Sequence, residues 1–258
     1  MLIEDRKNYI LKLLETNSSV TVKELSSTLD ISEVTVRKLL IQMEEEGSLR
    51  RSWGGAVRMV NAAHELPYSD KENKCLEEKR AIAYAAYESI HDGETVYLDC
   101  GTTSFELVKL IVEGSKQMIV CTNAFNILGE LRKNPAISAI MIGGELRHSI
   151  YSCVGPLAIK VLQLLVFDRA FVTGDHFSLE HGFSVSALRD AEVKHAVFAS
   201  AKRRYIIMDS SKYGDDSMAI MAPANSGFTL ITDWRLPDEV CREFEKKGTR
   251  VIAAPNRQ

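Results

Sequence analysis

Residues 18–57, SSVTVKELSSTLDISEVTVRKLLIQMEEEGSLRRSWGGAV, decide how the start of this chain folds. Thr21 and Glu24 form a T-x-x-E capping box, in which each side chain can satisfy an orphan N–H at a helix start. Leu25 and Leu29, one turn apart, give the helix that follows an apolar stripe. Asp30 and Ile31 fit a short turn. Ser32 is a strong N-cap, and Glu33 suits the positive end of the next helix dipole. That helix is expected over about 33–46, with Val36, Leu40 and Met43 on one face and Gly47 as a left-handed cap. Leu49–Trp53 and Ala56–Arg58 flank Gly54-Gly55, a hairpin-turn signal. Upstream, a first helix over 3–16 offers Ile10, Leu13 and Leu14 as its core face. Helix, turn, helix and basic hairpin, in that order, make a winged helix-turn-helix.

The charges in this module are placed for DNA. Residues 1–60 hold nine Lys/Arg and nine Asp/Glu, a net of zero, so distribution decides more than sum. Glu44, Glu45 and Glu46 sit at the far end of the third helix. Ser32, Thr35, Arg37 and Lys38 occupy its N-terminal part, the end that a recognition helix inserts into the major groove. There Arg37 can donate a bidentate pair to guanine, and Lys38 or Thr35 can hold phosphates. Arg50, Arg51 and Arg58 on the hairpin suit phosphate or minor-groove contact. The competing use of such a module, contact with protein alone, predicts no salt-dependent DNA affinity.

The 258 residues allow one small and one medium domain: 1–60, a polar linker over 61–74 (NAAHELPYSDKENK), and 75–258. At 45% hydrophobic and 26% charged, with a net charge of −3, the composition is that of a globular protein. Glu4, Asp5, Arg6 and Lys7 argue against a secretory leader, and no apolar run is long enough to span a bilayer. The expected location is cytoplasmic. Five cysteines without CxxC spacing suggest reduced thiols, and the six histidines show no metal-ligand pattern. Neither a metal nor a cofactor is expected.

From Leu76 onward, helices alternate with short β-rich runs, which predicts an α/β domain on a mostly parallel sheet. Strands are expected at 95–98, 118–121, 137–142, 169–172, 205–208, 228–231 and 250–253. Helices are expected at 76–90, 105–112, 124–132, 155–165, 188–203 and 237–246. Polar motifs fall repeatedly where such strands end, and there open sheets bind ligands. Asp99-Cys100-Gly101-Thr102-Thr103-Ser104 opens a helix, where hydroxyls and N–H groups can cradle a phosphate. Thr122-Asn123, Gly143-Gly144, Gly174-Asp175-His176 and Asp209-Ser210-Ser211-Lys212 follow later strands. Lys194 and Lys212 can neutralise a phosphate dianion. Arg147, His148 and Tyr151 are placed to read the rest of a ligand.

Motifs along nearly the whole chain resemble the DeoR family of bacterial transcriptional regulators. They are IxxLLE (10–15), VTVKELSSTLDISEVTVRKLL, MEEEGSLRRSWGGAV, EKRAIAYAA, YLDCGTTS, VCTNAFNI, MIGGELR, CVGPLA, FDRAFVTG, GFSVSALRDAEVKHA and IIMDSSKYG. One departure lies in the recognition helix, where Leu39 stands in place of the family's usual acidic residue. The resemblance implies a C-terminal effector domain similar in fold to ribose-5-phosphate isomerase. It implies a phosphorylated sugar as ligand, a homo-oligomer on double-stranded operator DNA, and repression of sugar-catabolic operons. Residue by residue it points to Asp99, Gly101, Thr102, Thr103, Asn123, Gly144, Gly174, Glu192, Lys194 and Lys212. The alternative is an isomerase-like enzyme with an appended DNA-binding domain. Those isomerases carry Asp-Gly-Ala-Asp where this chain has Thr173-Gly174-Asp175-His176, so the resemblance implies binding without turnover and no catalytic residue.

Overall fold

The computed structural model describes every residue except 1–2, 18, 47, 53, 59–67, 226 and 257–258. The chain divides into two compact units, Met1–Asn61 and Ala62–Gln258.

The first unit runs α1 (Ile3–Asn17), β1 (Ser19–Thr21), α2 (Val22–Leu29), α3 (Glu33–Glu45), β2 (Leu49–Ser52) and β3 (Gly55–Arg58). Both bonds of the Thr21–Glu24 capping box are present, at 3.2 and 3.0 Å. Asp30 ends α2 in the left-handed region, at φ 50°. Ser32 accepts from the Thr35 N–H at 3.2 Å and starts α3. Ile10, Leu14, Leu25, Val36, Leu40, Met43, Leu49 and Ala56 close the core. Leu39 joins them, so the departure from an acidic residue widens the apolar face of α3. Gly54 takes the positive φ (83°) that the hairpin turn needs. β1, too short to carry a period-2 pattern, was not foreseen; it pairs antiparallel with β3 and extends the wing to three strands. A Cβ at Gly55 would lie 2.0 Å from the Val20 carbonyl, so this pairing depends on glycine there. Gly47 and Trp53, expected as helix cap and hairpin residue, lie outside the described residues.

The second unit opens with α4 (Tyr68–Glu72) and α5 (Leu76–Ser89), followed by β4 (Thr95–Leu98), α6 (Thr102–Glu113), β5 (Ile119–Thr122), α7 (Phe125–Leu131) and β6 (Ser138–Met141). A hairpin, β7 (Glu145–Arg147) and β8 (Ser152–Val154), leads to α8 (Pro156–Leu162) and β9 (Phe167–Val172). Then come β10 (His176–Ser178), β11 (Gly182–Val185), α9 (Leu188–Ser200), β12 (Ala201–Ile207), β13 (Ala219–Ala222), β14 (Thr229–Asp233), α10 (Asp238–Lys246) and β15 (Arg250–Ala254). The main sheet is parallel throughout, in the order β15-β14-β12-β9-β4-β5-β6. Progression from β4 runs one way through β5 and β6. It then restarts on the other side with β9, β12 and β14. β4 and β9 therefore flank a topological switch point, where a crevice opens beyond their carboxyl ends. Apolar clusters fill both faces of the sheet. A sheet so covered has strands that are continuously apolar rather than alternating, as β9 and β12 are in their C-terminal halves.

Three expectations change. α9 ends at Ser200 rather than Arg203, because pairing of Ala201 with Phe167 and Arg203 with Arg169 draws those residues into β12. The β7–β8 hairpin and a small antiparallel sheet, β10-β11-β13, were not foreseen. Their strands have only three or four residues, too few to display a period. Finally, the linker expected over 61–74 contains α4, five residues long, with Tyr68 buried.

Candidate DNA-binding surface and effector pocket

On the first unit, Ser32, Thr35, Arg37 and Lys38 all lie in the first two turns of α3 and are exposed. Sequence spacing points Lys38 away from Val36 and Leu40, which face the core, and sets Thr35 and Arg37 to either side of that face. Arg37 pairs with Glu33 at 3.1 Å, one turn away. The pair is open to solvent, so the guanidinium is easily released to another acceptor. Arg51 on β2 pairs with Glu44 at 2.9 Å. Arg37 and Arg51 line one groove with Ser52, Gly54 and Gly55, so recognition helix and wing share a cationic rim. Arg50 and Arg58 sit in β2 and β3, with their side chains outside the described part.

On the second unit, the expected residues divide. Asp99 leaves the end of β4 fully buried. Its Oδ2 accepts from the Thr173 N–H (2.9 Å), the Thr173 hydroxyl (2.8 Å) and Lys194 Nζ (2.5 Å). Lys194 also meets Asp190 at 3.3 Å, one turn back on α9, and Arg147 meets the other Asp190 oxygen at 3.4 Å. Burial alone would neutralise this group. For Asp99 the Lys194 ammonium and the Thr173 donors outweigh burial and hold the carboxyl below its usual range. For Asp190 burial wins, and with the nearby Asp99 charge it pushes the carboxyl up against the pull of Lys194. Lys194 itself is raised, because the two carboxylates overcome its own burial. Its charge is shared with two aspartates, and it lines the same pocket as Lys212.

Lys212 donates to the Gly174 carbonyl at 2.7 Å, and burial lowers its pKa. Asp175 pairs with Lys71 of α4 at 2.8 Å and accepts from the Ser186 N–H and hydroxyl, each at 2.9 Å. Burial opposes that carboxylate, yet Lys71 and Lys212 hold it well below the ordinary range. Gly101, Thr102, Gly174, Asp175, Lys71 and Lys212 meet around one pocket at the switch point, with Tyr68, Ile150, Asp190 and Lys194 also in its lining. Gly101 caps α6 without a side-chain acceptor. Its smallness is needed, since a Cβ there would lie 2.3–2.6 Å from the Thr173 side chain.

Other expected residues stand apart from the pocket. Asn123 is buried and satisfied, accepting from Tyr97 Oη (2.9 Å) and donating to the Cys153 carbonyl (2.8 Å). Thr103 is buried in α6 behind the pocket wall. Gly144 lies exposed ahead of β7, and His148 is exposed. Glu192 is exposed on α9; the carboxylate that α9 turns inward is Asp190, on the face shared with Lys194 by i,i+4 spacing. Sequence reading missed Lys71 and Asp190, and it placed Asp175 in a strand-end polar loop without giving it a role of its own. For Asp190 the i,i+4 relation to Lys194 was a readable signal. A wider groove of about 580 Å³ between α5 and α6 has its central carboxylate, Glu106, already paired with Arg80 and Lys109.

Comparison with known proteins agrees with both halves. Residues 6–61 match the DeoR-like helix-turn-helix domain, and residues 74–234 match the DeoR C terminal sensor domain. The chain is 31% identical to the HTH-type transcriptional regulator YulB of Bacillus subtilis, over 99% of this chain and 98% of that one. It is 31% identical to the HTH-type transcriptional regulator GlpR of Haloferax volcanii, over 98% of each. It is 30% identical to a putative aga operon transcriptional repressor of Escherichia coli O157:H7, over 96% of this chain and 93% of that one. Among solved structures, ribose 5 phosphate isomerase A from Neisseria gonorrhoeae aligns over 53% of each chain, with 15% identity and a TM-score of 0.39. With matched models covering its helix-turn-helix and its sensor domain, the chain belongs to the DeoR family of DNA-binding transcriptional regulators.

Proposed function

We propose that the protein represses a carbohydrate-catabolic operon and that a phosphorylated sugar in the switch-point pocket sets its affinity for double-stranded operator DNA. The observation that carries this reading is the pocket itself. Lys71 and Lys212 converge there on the start of α6, whose first N–H groups have no side-chain cap. Two ammonium groups in the same lining as a helix N-terminus suit a phosphoryl dianion. Gly101 and Thr102 offer backbone and hydroxyl to the same group. Lys194, in the same lining, pairs with Asp99 and Asp190, and Arg147 meets Asp190. The relative named as an aga operon repressor supports the sugar-operon assignment.

Ser32, Thr35, Arg37, Lys38, Arg50, Arg51 and Arg58 then contact operator DNA. A homo-oligomer presents two α3 helices to half-sites about 34 Å apart, or a multiple of that. Ligand binding favours one arrangement of the protomers over another, and that difference in affinity bounds the change in DNA binding. The pocket binds without turnover. An isomerase base must take up a proton, and Asp175, held low by Lys71 and Ser186, is a weak base.

Thermal-shift titration with phosphorylated sugars, each beside its unphosphorylated form, tests the reading. A rise with one phosphosugar, accompanied by altered operator binding, is expected. No rise with any phosphorylated ligand refutes it, and ketose formation from an aldose phosphate would make the protein an enzyme.

A further inference from the structure

The pocket, as it stands, encloses only about 40 Å³. That is room for a water or two, whereas small-molecule sites run to roughly 300–1,000 Å³. Something must move before any phosphorylated ligand enters. Most of the wall cannot. Cys100, Thr173 and Val185 leave β4, β9 and β11 directly, and Gly174 packs against Met208 and Met221 within the core. Ile150, in the β7–β8 turn, and Lys212, in a short turn after β12, also lie outside strands, but the piece whose cation already meets a carboxylate across the pocket is α4. This helix is one and a half turns long, and a few contacts hold it. The Tyr68 N–H donates to the Ser149 carbonyl at 3.0 Å, and the Tyr68 ring packs on Tyr151 and Phe105 at centroid distances of 5.4 and 6.4 Å. Lys79 donates to the Lys71 carbonyl. Lys71 Nζ reaches Asp175.

The last contact is of a different kind from the rest. Asp175 presents a carboxylate to Lys71 in the pocket, where an anionic ligand would present its own oxygens. Building on the reading of this pocket as a phosphoryl site, we propose that α4 is its gate, with Lys71 leaving Asp175 for the incoming phosphoryl group as the helix moves outward. The gate has a consequence for signalling. α4 begins at Tyr68, a few residues after Asn61, where the DNA-binding unit ends. Occupancy of the pocket is therefore felt first by the piece of chain that leads to that unit. An effector that exchanges one ion-pair partner of Lys71 for another has the differential contact that a two-state switch requires.

The two partners of this pair should respond with opposite sign. Asp175 competes with the ligand for Lys71, while Lys71 binds the ligand. Inorganic phosphate is the probe, titrated against full-length protein in chloride-balanced buffer and followed by calorimetry. Lys71→Met should weaken phosphate binding about tenfold, the loss of one charge-assisted hydrogen bond. Lys71→Arg should retain most of the affinity. Asp175→Asn should bind phosphate more tightly than wild type. Hydrogen exchange at the Tyr68 amide, slow while it is bonded to Ser149, should speed up when phosphate is added. If Lys71→Met binds phosphate as wild type does, or both variants weaken alike, the pair is a strut and the proposal falls. Unchanged exchange at Tyr68 overturns the gate as well. If wild type itself does not bind phosphate, the phosphoryl reading of the pocket fails first and takes this inference with it.

Discussion

Replacing Lys194 by Met removes the one ammonium between two buried carboxylates. Lys194, Asp99 and Asp190 are each at least 94% buried as side chains. Breaking a buried ion pair from one side costs about 3–5 kcal/mol, because the stranded charge keeps its desolvation penalty. Here the lower end applies. Asp99 keeps both Thr173 donors, and Asp190 keeps Arg147 at 3.4 Å. A loss near 3 kcal/mol in a unit of this size lowers the melting temperature by roughly 6–12 °C. The pH dependence distinguishes this account from simple loss of packing. In wild type, Asp99 lies below its unfolded value, so its stabilisation is present above about pH 4 and lost only as pH falls further. In the variant, burial unopposed by Lys194 raises both carboxyls. Their penalty is then full at neutral pH and fades as pH falls through the raised values. Differential scanning calorimetry of both proteins at about pH 8 and pH 5 reads this directly. The gap should be larger at pH 8. A gap of under about 1 kcal/mol, or one equal at the two pH values, would refute the electrostatic argument.

Arg37→Ala should lower affinity for operator DNA by about 1–3 kcal/mol without changing the melting temperature, if Arg37 reads a base edge. Anisotropy titrations on operator and scrambled duplexes check this, and an equal loss on both would make Arg37 a phosphate contact. Gly101→Ala should destabilise the sensor unit by about 1–3 kcal/mol, since the new Cβ overlaps Thr173 and disturbs the donors on Asp99; urea unfolding measures it, and a neutral variant would contradict the packing. Burial, followed by the charge of Lys212, lowers Lys79 to about 8. The folded state thus sheds this proton before the unfolded chain does, and stability should rise as pH climbs from about 8 toward 10. Lys79→Met should reduce that rise and leave the share of Lys212, which burial lowers likewise, and an unchanged slope would assign it to other groups.

Much of the DNA-binding unit was legible because its signals are local. A capping box needs residues three apart, an N-cap precedes its helix, and Gly54-Gly55 marks a turn between two short runs. Helix periodicity placed Val36, Leu40 and Met43 in the core for the same reason. In the second unit, local pattern predicted alternating helices and strands, and the first strand, Thr95–Leu98, was read to the residue. It also placed polar loops at strand ends. It did not reveal which loops would meet, because that depends on strand order. Restarting the sheet with β9 beside β4 brings Thr173 to Asp99, 74 residues away in sequence.

Tertiary structure alone decided the rest of the pocket. Lys71 lies in a stretch with no periodicity, and a helix of five residues acquires its place by packing Tyr68 rather than by propensity. Asp190 reads as an ordinary helix carboxylate, and Asp175 as one polar residue of a strand-end loop, until β9 and α9 turn them inward beside Lys71 and Lys194. Conversely, Asn123 and Glu192 sit in promising motifs, but one is turned into the core and the other to solvent. The sequence by itself determined the longer helices, the strands of the main sheet, the helix-turn-helix and the family, through interactions between near neighbours. Which carboxylate or carbonyl each pocket lysine meets was decided where distant segments converge and water is excluded.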